Sequence, residues 1–448
     1  MMNKYRFKFD KRFIYAMLVI LLLTACGSLA PNPHAHQGQA AALEAGEEKQ
    51  TDEDTFEEAV PASADKTGQT DEMDETDTAA KAEEPAAEAE PYTLSGRLLA
   101  VGDIMMHSPQ FPAYLNPKTG QYDFRGFFTN VKPILKEADW CWANLETPLL
   151  GGEKVYTGYP MFNAPPELAD ALKDAGFNIV TAANNHTLDR RERGALRTRE
   201  VLKDRGLVTK GISASLWESK QPTLMDKNGI TMGILAYTYG TNGIPLPKDK
   251  PYLVSLIDEK RMIEDIQKTR SAGADVVVIA LHFGTEYEPN PNKEQTRLAR
   301  KLVQAGADII LGSHPHVLQP YERLTVKDKH GQTREGLIIY SLGNFISNQR
   351  GDGKDVGVIF GVTIEMHMPE GTIELKEISA EPTWVHINGP HEKRKYSVIP
   401  LSSVLKDKTD TRFTKQQRQQ MSNMKQRAAR HVSSMSEVPV LLQALPAR

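Results

Sequence analysis

"AGADIILGSHPHVLQP", Ala305–Pro320, is the stretch on which the fold turns. A short apolar run, Asp308 to Leu311, stops at Gly312, and two histidines follow with a proline between them. Such a run has the length and composition of a strand covered on both faces. The preceding "NKEQTRLARKLVQ" sets Leu298, Leu302 and Val303 on one helical face, and the Ala-Gly pair suits a helix C-terminus. The same phrase occurs twice upstream, as "DAGFNIVTAANNH" (Asp174–His186) and "SAGADVVVIALHFG" (Ser271–Gly284). Before the first of these, "PPELADALKD" carries Leu168 and Leu172 at i,i+4 spacing. Helix, glycine, strand and histidine repeated three times predict an α/β fold with parallel strands joined by right-handed crossovers. Parallel strands bring their C-terminal ends to one edge, where open α/β sheets place their ligands.

Two further strands end in polar groups. "GRLLAVGD" delivers Asp103, and "WCWANLE" delivers Asn144 and Glu146. Asp103, Glu146, Asn185, His282, His314 and His316 are therefore candidate metal ligands, and His186 lies just beyond a strand of the same kind. Imidazole and carboxylate donors with no thiolate suit Zn, Mn, Fe or a similar divalent ion. In an extended segment residues i and i+2 point the same way, and Pro315 biases His314 away from helix. The expectation is that both imidazoles face one cavity, holding one ion or two adjacent ones. His107, Asn144, Asp189 and Asn344 are further candidates around it, while Arg190, Arg191 and Arg193 follow the "NNH" block as a solvated helix start or an anion contact.

The ends of the chain carry different information. Lys4, Arg6, Lys8, Lys11 and Arg12 precede an apolar run from Phe13 to Leu23, and "LTAC" then resembles a bacterial lipobox. Residues 1–26 are expected to be a lipoprotein signal peptide cleaved before Cys26, whose thiol is lipidated. That predicts a membrane partner through the lipid and a location on the outer face of the cytoplasmic membrane. The only other cysteine, Cys141, has no partner for a disulfide and reads as a buried apolar filler. Residues 27–92 read as an acidic disordered spacer; 41–90 hold 18 Asp/Glu against 3 Lys. The globular core is placed at 93–346, with C-terminal strands of the same domain at 347–401 and a basic tail at 402–448. Lys406–Arg430 holds 8 basic and 2 acidic residues, which suits an anionic polymer or surface as well as a solvated helix.

In order along the chain, "VGDIMMH", "ANLETPL", "AANNHTLD", "LHFGTEY", "GSHPHVLQP" and "YSLGNF" resemble the blocks of the CapA family. That family is associated with poly-γ-glutamate capsule synthesis and is distantly similar to calcineurin-like metallophosphoesterases. The resemblance implies a four-layer α-β-β-α sandwich around two divalent ions. It makes Asp103 the first-strand ligand, Glu146 the bridging acid, Asn185, His282, His314 and His316 the remaining ligands, and His186 the group that protonates a leaving group. Three departures stand out. His107 lies four residues after Asp103 rather than two, "NLE" replaces a "GDxxD" block, and Thr187 stands where an acid would follow the histidine. Asp189 can replace that acid only if the turn places it properly.

Two functions follow from the resemblance. One is a lipid-anchored component that synthesises, exports or tethers poly-γ-glutamate or a related anionic polymer beside other capsule-synthesis membrane proteins. The other is a metal-dependent hydrolase of a phosphoester or amide bond in the cell envelope. Nucleic acid is not an expected partner.

Overall fold

The computed structural model describes residues 90–152, 156–327, 331 and 333–436. The signal segment, Cys26 and nearly all of the acidic spacer lie outside these residues. Fourteen strands are described. They are β1 (Tyr92–Ile104), β2 (Trp140–Leu145), β3 (Ile179–Thr181), β4 (Val208–Lys210), β5 (Leu224–Lys227), β6 (Ile230–Thr238) and β7 (Val276–His282), followed by β8 (Ile309–Ser313), β9 (Leu318–Lys327), β10 (Thr333–Leu342), β11 (Asn344–Ile346), β12 (Val356–Met368), β13 (Thr372–Asn388) and β14 (Lys395–Pro400). The helices are α1 (Lys132–Leu135), α2 (Glu167–Ala175), α3 (Arg191–Asp204), α4 (Leu216–Ser219), α5 (Glu259–Ser271), α6 (Lys293–Ala305), α7 (Leu401–Lys406) and α8 (Lys415–Val432).

The strands form two sheets, as the resemblance implies. The first runs β14-β13-β12-β1-β2-β3-β4, with β11 beside β1, and the second runs β5-β6-β7-β8-β10-β9. Strands β1 to β4 are mutually parallel, as are β6, β7, β8 and β10, and β11 is parallel to β1. The other pairings are antiparallel. The expected parallel connections are present, but the three histidine phrases are divided. The phrase ending at His186 feeds the first sheet, and those ending at His282 and His314 feed the second.

Side-chain alternation sorts the core into layers. Leu98, Ala100, Trp140, Trp142 and Ile179 point inward from the first sheet and meet Met232, Ile234, Val276, Val278, Ile309 and Leu311 of the second. Their sequence neighbours Leu99, Val101, Cys141, Ala143 and Val180 point outward onto Leu168, Leu172, Val201 and Leu202 of α2 and α3. On the far side, Leu235, Val277, Ile279 and Ile310 point outward onto Met262 and Ile266 of α5 and Leu298, Leu302 and Val303 of α6. This is the four-layer α-β-β-α sandwich. Cys141 is the free, buried cysteine of the outer core.

The helix punctuation explains why the strands start where they do. Asn292 caps α6 by accepting from the Gln295 N–H at 2.8 Å, and the Gln295 side chain accepts the Asn292 N–H at 3.0 Å. The helix ends at Gly306, φ 122°, where Ala307 N–H reaches back to the Leu302 carbonyl at 3.0 Å. α2 ends in the same way at Gly176, φ 113°.

Residues 347–401 supply β12, β13 and β14, which complete the first sheet. The expected basic tail contains α7 and α8. Helix α8 buries Met421, Met424, Ala428 and Val432 against the inter-sheet core and lies against β9 and β13, one strand from each sheet. Among the described residues no helix is long and apolar enough to cross a membrane.

Candidate metal centre

Five strand ends meet at one end of the sandwich, three from the first sheet and two from the second. A register shift between Val101 and Asp103 re-aims the end of β1. Gly102 permits it, because a Cβ there would overlap the Gly343 carbonyl, to which the Asp103 N–H bonds at 3.0 Å. Asp103 then accepts from Asn144 Nδ2 at 2.8 Å through one oxygen and faces His316 Nδ1 at 3.0 Å through the other. Glu146, one residue past β2, is fully buried and lies 3.5 Å from His282 Nε2 and 3.8 Å from His316 Nε2. His282, the last residue of β7, is held by Ser313 Oγ at 3.0 Å and by Asn185 Oδ1 at 2.9 Å. All six expected ligands are thus in one cluster.

Ligand atoms fall into two groups that share one residue. Glu146, His282 and His314 can converge on one point, and Asp103, Glu146 and His316 on another, with the atoms of each group within 4.8 Å of one another. His314 and His316 therefore serve different halves. This corrects the extended reading of the "HPH" segment. Both histidines have positive φ, 98° and 58°, so the backbone coils between them instead of running straight. The Pro315 carbonyl accepts the Tyr287 N–H at 2.8 Å, a tertiary bond that helps hold this loop.

The electrostatics are those of a site built for cations. Neither Glu146 oxygen has a hydrogen-bond partner among the described residues, nor does His314 Nδ1. An unpaired buried carboxylate is costly, so burial and the neighbouring Asp103 charge raise its pKa well above the usual range. Burial opposes ionisation of Asp103 as well, but the His316 hydrogen bond and charge outweigh it and hold that carboxyl low. Burial likewise disfavours a charged His316, yet the facing Glu146 and hydrogen-bonded Asp103 lift it to about 9. Burial pushes His282 down to about 3 and His314 lower still. The donor set and the orphaned oxygens of Glu146 together fit divalent metal. Asp103, Glu146, Asn185, His282, His314 and His316 would hold it.

His186 stands beside this centre with a partner of its own. Its Nδ1 is 2.8 Å from Asp189 Oδ2, which also accepts the Phe162 N–H at 2.8 Å. Two successive turns, Thr187 N–H to the Asn184 carbonyl and Asp189 N–H to the His186 carbonyl, bring that acid round. Asp189 thus takes the place vacated at Thr187, whose hydroxyl instead donates to the Ala182 and Asn184 carbonyls. With Nδ1 directed at Asp189, Nε2 is the nitrogen left to exchange protons.

The remaining candidates have local duties. Asn144 braces Asp103. His107 Nδ1 accepts the Asn348 N–H at 3.3 Å, its ring packs edge-on to Phe162, and burial lowers its pKa to about 4. It belongs to neither ligand group. Asn344 donates to Gln349 at 2.9 Å and to the Lys354 carbonyl at 2.8 Å, while its own side-chain oxygen has no partner. Arg190 bonds the Phe162 and Met161 carbonyls, and Arg191 and Arg193 are exposed on α3.

Several site residues carry no motif signal. Tyr239 lies over His314 with ring centres 4.6 Å apart, and Tyr287 over His316 at 6.0 Å, both half-exposed. Asn242 accepts from Asn185 Nδ2 at 3.2 Å. Tyr239 and Asn242 follow β6, a strand with no histidine at its end, though its "TYGTN" continuation holds turn residues of the kind seen at the other strand ends.

Residues 97–349 match the family described as "Bacterial capsule synthesis protein PGA_cap", which is more than half of the chain. The chain belongs to this family. Relatives include the capsule biosynthesis protein CapA of Bacillus anthracis, 32% identical over 256 residues, which cover 56% of this chain and 59% of that one. The PGA biosynthesis protein CapA of Bacillus subtilis is 33% identical over 255 residues, covering 56% of this chain and 62% of its own. The chain therefore spans less than two thirds of the length of these relatives. Among solved structures it is similar to the NAD nucleotidase of Haemophilus influenzae, with a TM-score of 0.41 at 13% identity over 75% of this chain and 63% of that one. A putative 5′-nucleotidase of Staphylococcus aureus gives 0.38 at 12% identity, over 73% and 58%. The PGA_cap segment contains every ligand candidate and ends before β12 and α8.

Proposed function

We propose that this PGA_cap protein works in the synthesis, export or tethering of poly-γ-glutamate or a related anionic polymer, through a divalent-metal centre shared by Glu146. The observation that carries the reading is the pair of orphaned, buried Glu146 oxygens between two ligand groups. The lipobox-like "LTAC" and the acidic spacer support lipid anchoring at Cys26 on the outer face of the cytoplasmic membrane, beside other membrane proteins of capsule synthesis.

A second reading, metal-dependent hydrolysis of a phosphoester or amide bond, is favoured by the His186–Asp189 pair. Asp189 fixes the ring and its tautomer, so that His186 Nε2 can give a proton to a departing oxygen or nitrogen. Held by Asp103, Glu146, Asn185, His282, His314 and His316, divalent metal would supply Lewis-acid polarisation of the scissile group and a more acidic water. The backbone agrees with a working site, since His314, His316, Tyr287 and Asn242 all have positive φ around it.

The test is a strain carrying His314→Ala with His316→Ala. Loss of bound metal together with loss of polymer supports the reading; normal polymer without metal contradicts it. Turnover of poly-γ-glutamate or a phosphodiester by the Mn-, Zn- or Fe-loaded protein, lost in His186→Ala, supports hydrolysis.

A further inference from the structure

Helix α8 lies outside the PGA_cap match and carries five Lys or Arg residues and no acid, Lys415, Arg418, Lys425, Arg427 and Arg430. It is fixed in place by more than its apolar face. His431 Nε2–H donates to the Pro289 carbonyl at 2.7 Å and lies 3.1 Å from the Leu318 carbonyl. Between α8 and the loop after His316 lies a groove of about 530 Å³, bordered by Val317, Leu318, Gly353, Met424, Arg427 and Ala428.

This groove borders the loop that carries His314 and His316. Val317 follows His316 directly, and Lys354 Nζ stands 5.1 Å from the centre of the Tyr287 ring that covers His316. Its two acids are already engaged. Asp355 accepts from the Trp384 indole at 3.2 Å and faces Arg350 at 3.8 Å, and Asp352 faces Lys354 at 3.3 Å. Arg427 and Arg430 are exposed and form no ion pair among the described residues.

We propose that the α8 groove is a docking track for an acidic polymer whose chain leads into the metal centre past His316. The inference rests on the polymer-handling function above and adds the element that holds the chain. Poly-γ-glutamate places methylene groups in its backbone and one free carboxylate on each residue. The apolar floor of Val317, Leu318, Met424 and Ala428 suits the methylenes, and Arg427 on the groove's edge, with Arg430 three residues further along α8, suits the carboxylates. An anionic bilayer offers the same charge, but it is flat and gains nothing from a groove floor.

The test uses the full chain in phosphatidylcholine nanodiscs, titrated with fluorescent poly-γ-glutamate, and in parallel its co-sedimentation with phosphatidylglycerol vesicles. Arg427→Glu with Arg430→Glu should weaken polymer binding by about tenfold at low salt and flatten its salt dependence. Arg427→Gln with Arg430→Gln should fall between, with metal content and melting temperature unchanged in both. Unchanged polymer affinity overturns the proposal, as does a loss confined to the vesicles. His314→Ala with His316→Ala should lose metal yet keep most of the polymer affinity, so a failure of the groove and a failure of the metal centre give different results.

Discussion

Two clusters in this molecule have similar composition and opposite physics. Glu146, His282, His314, His316 and Asp103 form one; Glu365, His367 and Glu374, on β12 and β13, form the other. In the second, Lys376 Nζ sits 2.9 Å from Glu365 and 3.0 Å from Glu374, and His367 contacts Glu374 at 3.1 Å and Thr93 at 3.1 Å. Every charge there has a partner, and solvent reaches all three groups. In the first, the central carboxylate is fully buried and no donor meets it. Satisfied surface charges need nothing further, whereas an orphaned buried acid between imidazoles calls for a cation.

The largest effect should come from Glu146, which both ligand groups use. Glu146→Gln should weaken Mn or Zn binding by more than about 100-fold, beyond the range seen when only supporting residues are lost. Titration calorimetry checks this, and the same substitution at Glu374 should leave binding unchanged. Equal losses at both positions would erase the distinction between the clusters.

Asp189→Asn sharpens the contrast between holding metal and using it. It should leave metal content intact while lowering any hydrolytic turnover by about 100-fold, because the His186 tautomer is no longer fixed. A fall in metal content would move Asp189 into the ligand set instead.

Proton competition gives an intermediate effect. In the metal-free protein His316 keeps its proton up to about 9, and Glu146 is also biased toward protonation. Both protons must leave before a cation enters. Affinity should therefore rise with pH up to about 9, by roughly tenfold per unit for each proton displaced, with protons released on binding. Calorimetry in buffers of different ionisation enthalpy measures that release. Affinity that rises toward acid pH would contradict the assignment.

The smallest effect belongs to the exposed cluster. His367→Ala should change stability by less than about 1 kcal/mol in denaturant unfolding, as expected of a solvated ion pair. A larger loss would show that the cluster is more than a surface network.

Much of the site was legible because its residues follow recognisable strands. Ala-Gly helix stops and β-branched runs located β3, β7 and β8, and the polar residue past each run is the one that reaches the centre. The division into two sheets came from the family resemblance alone, since a strand buried on both faces has the same periodicity in either sheet. The conformation of "HPH" was hidden for a different reason. A residue before proline favours extended backbone, and here the tertiary pull of Tyr287 and two separate ligand groups overrides that preference. Asp189 depended on two turns whose geometry composition does not specify. Tyr239 and Asn242 follow a strand without a histidine, so no motif marked them. In α8 the spacing of Met421, Met424, Ala428 and Val432 is helical, but the basic composition around it drew the reading toward a solvated tail.

The central proposal, that Glu146 is shared between two cation sites, is tested most directly by anomalous diffraction from Mn-loaded crystals. Two manganese peaks should flank the Glu146 carboxylate, one against His282 and His314 and the other against Asp103 and His316. Peaks absent from Glu146, or found only between Glu365, His367 and Glu374, would contradict it.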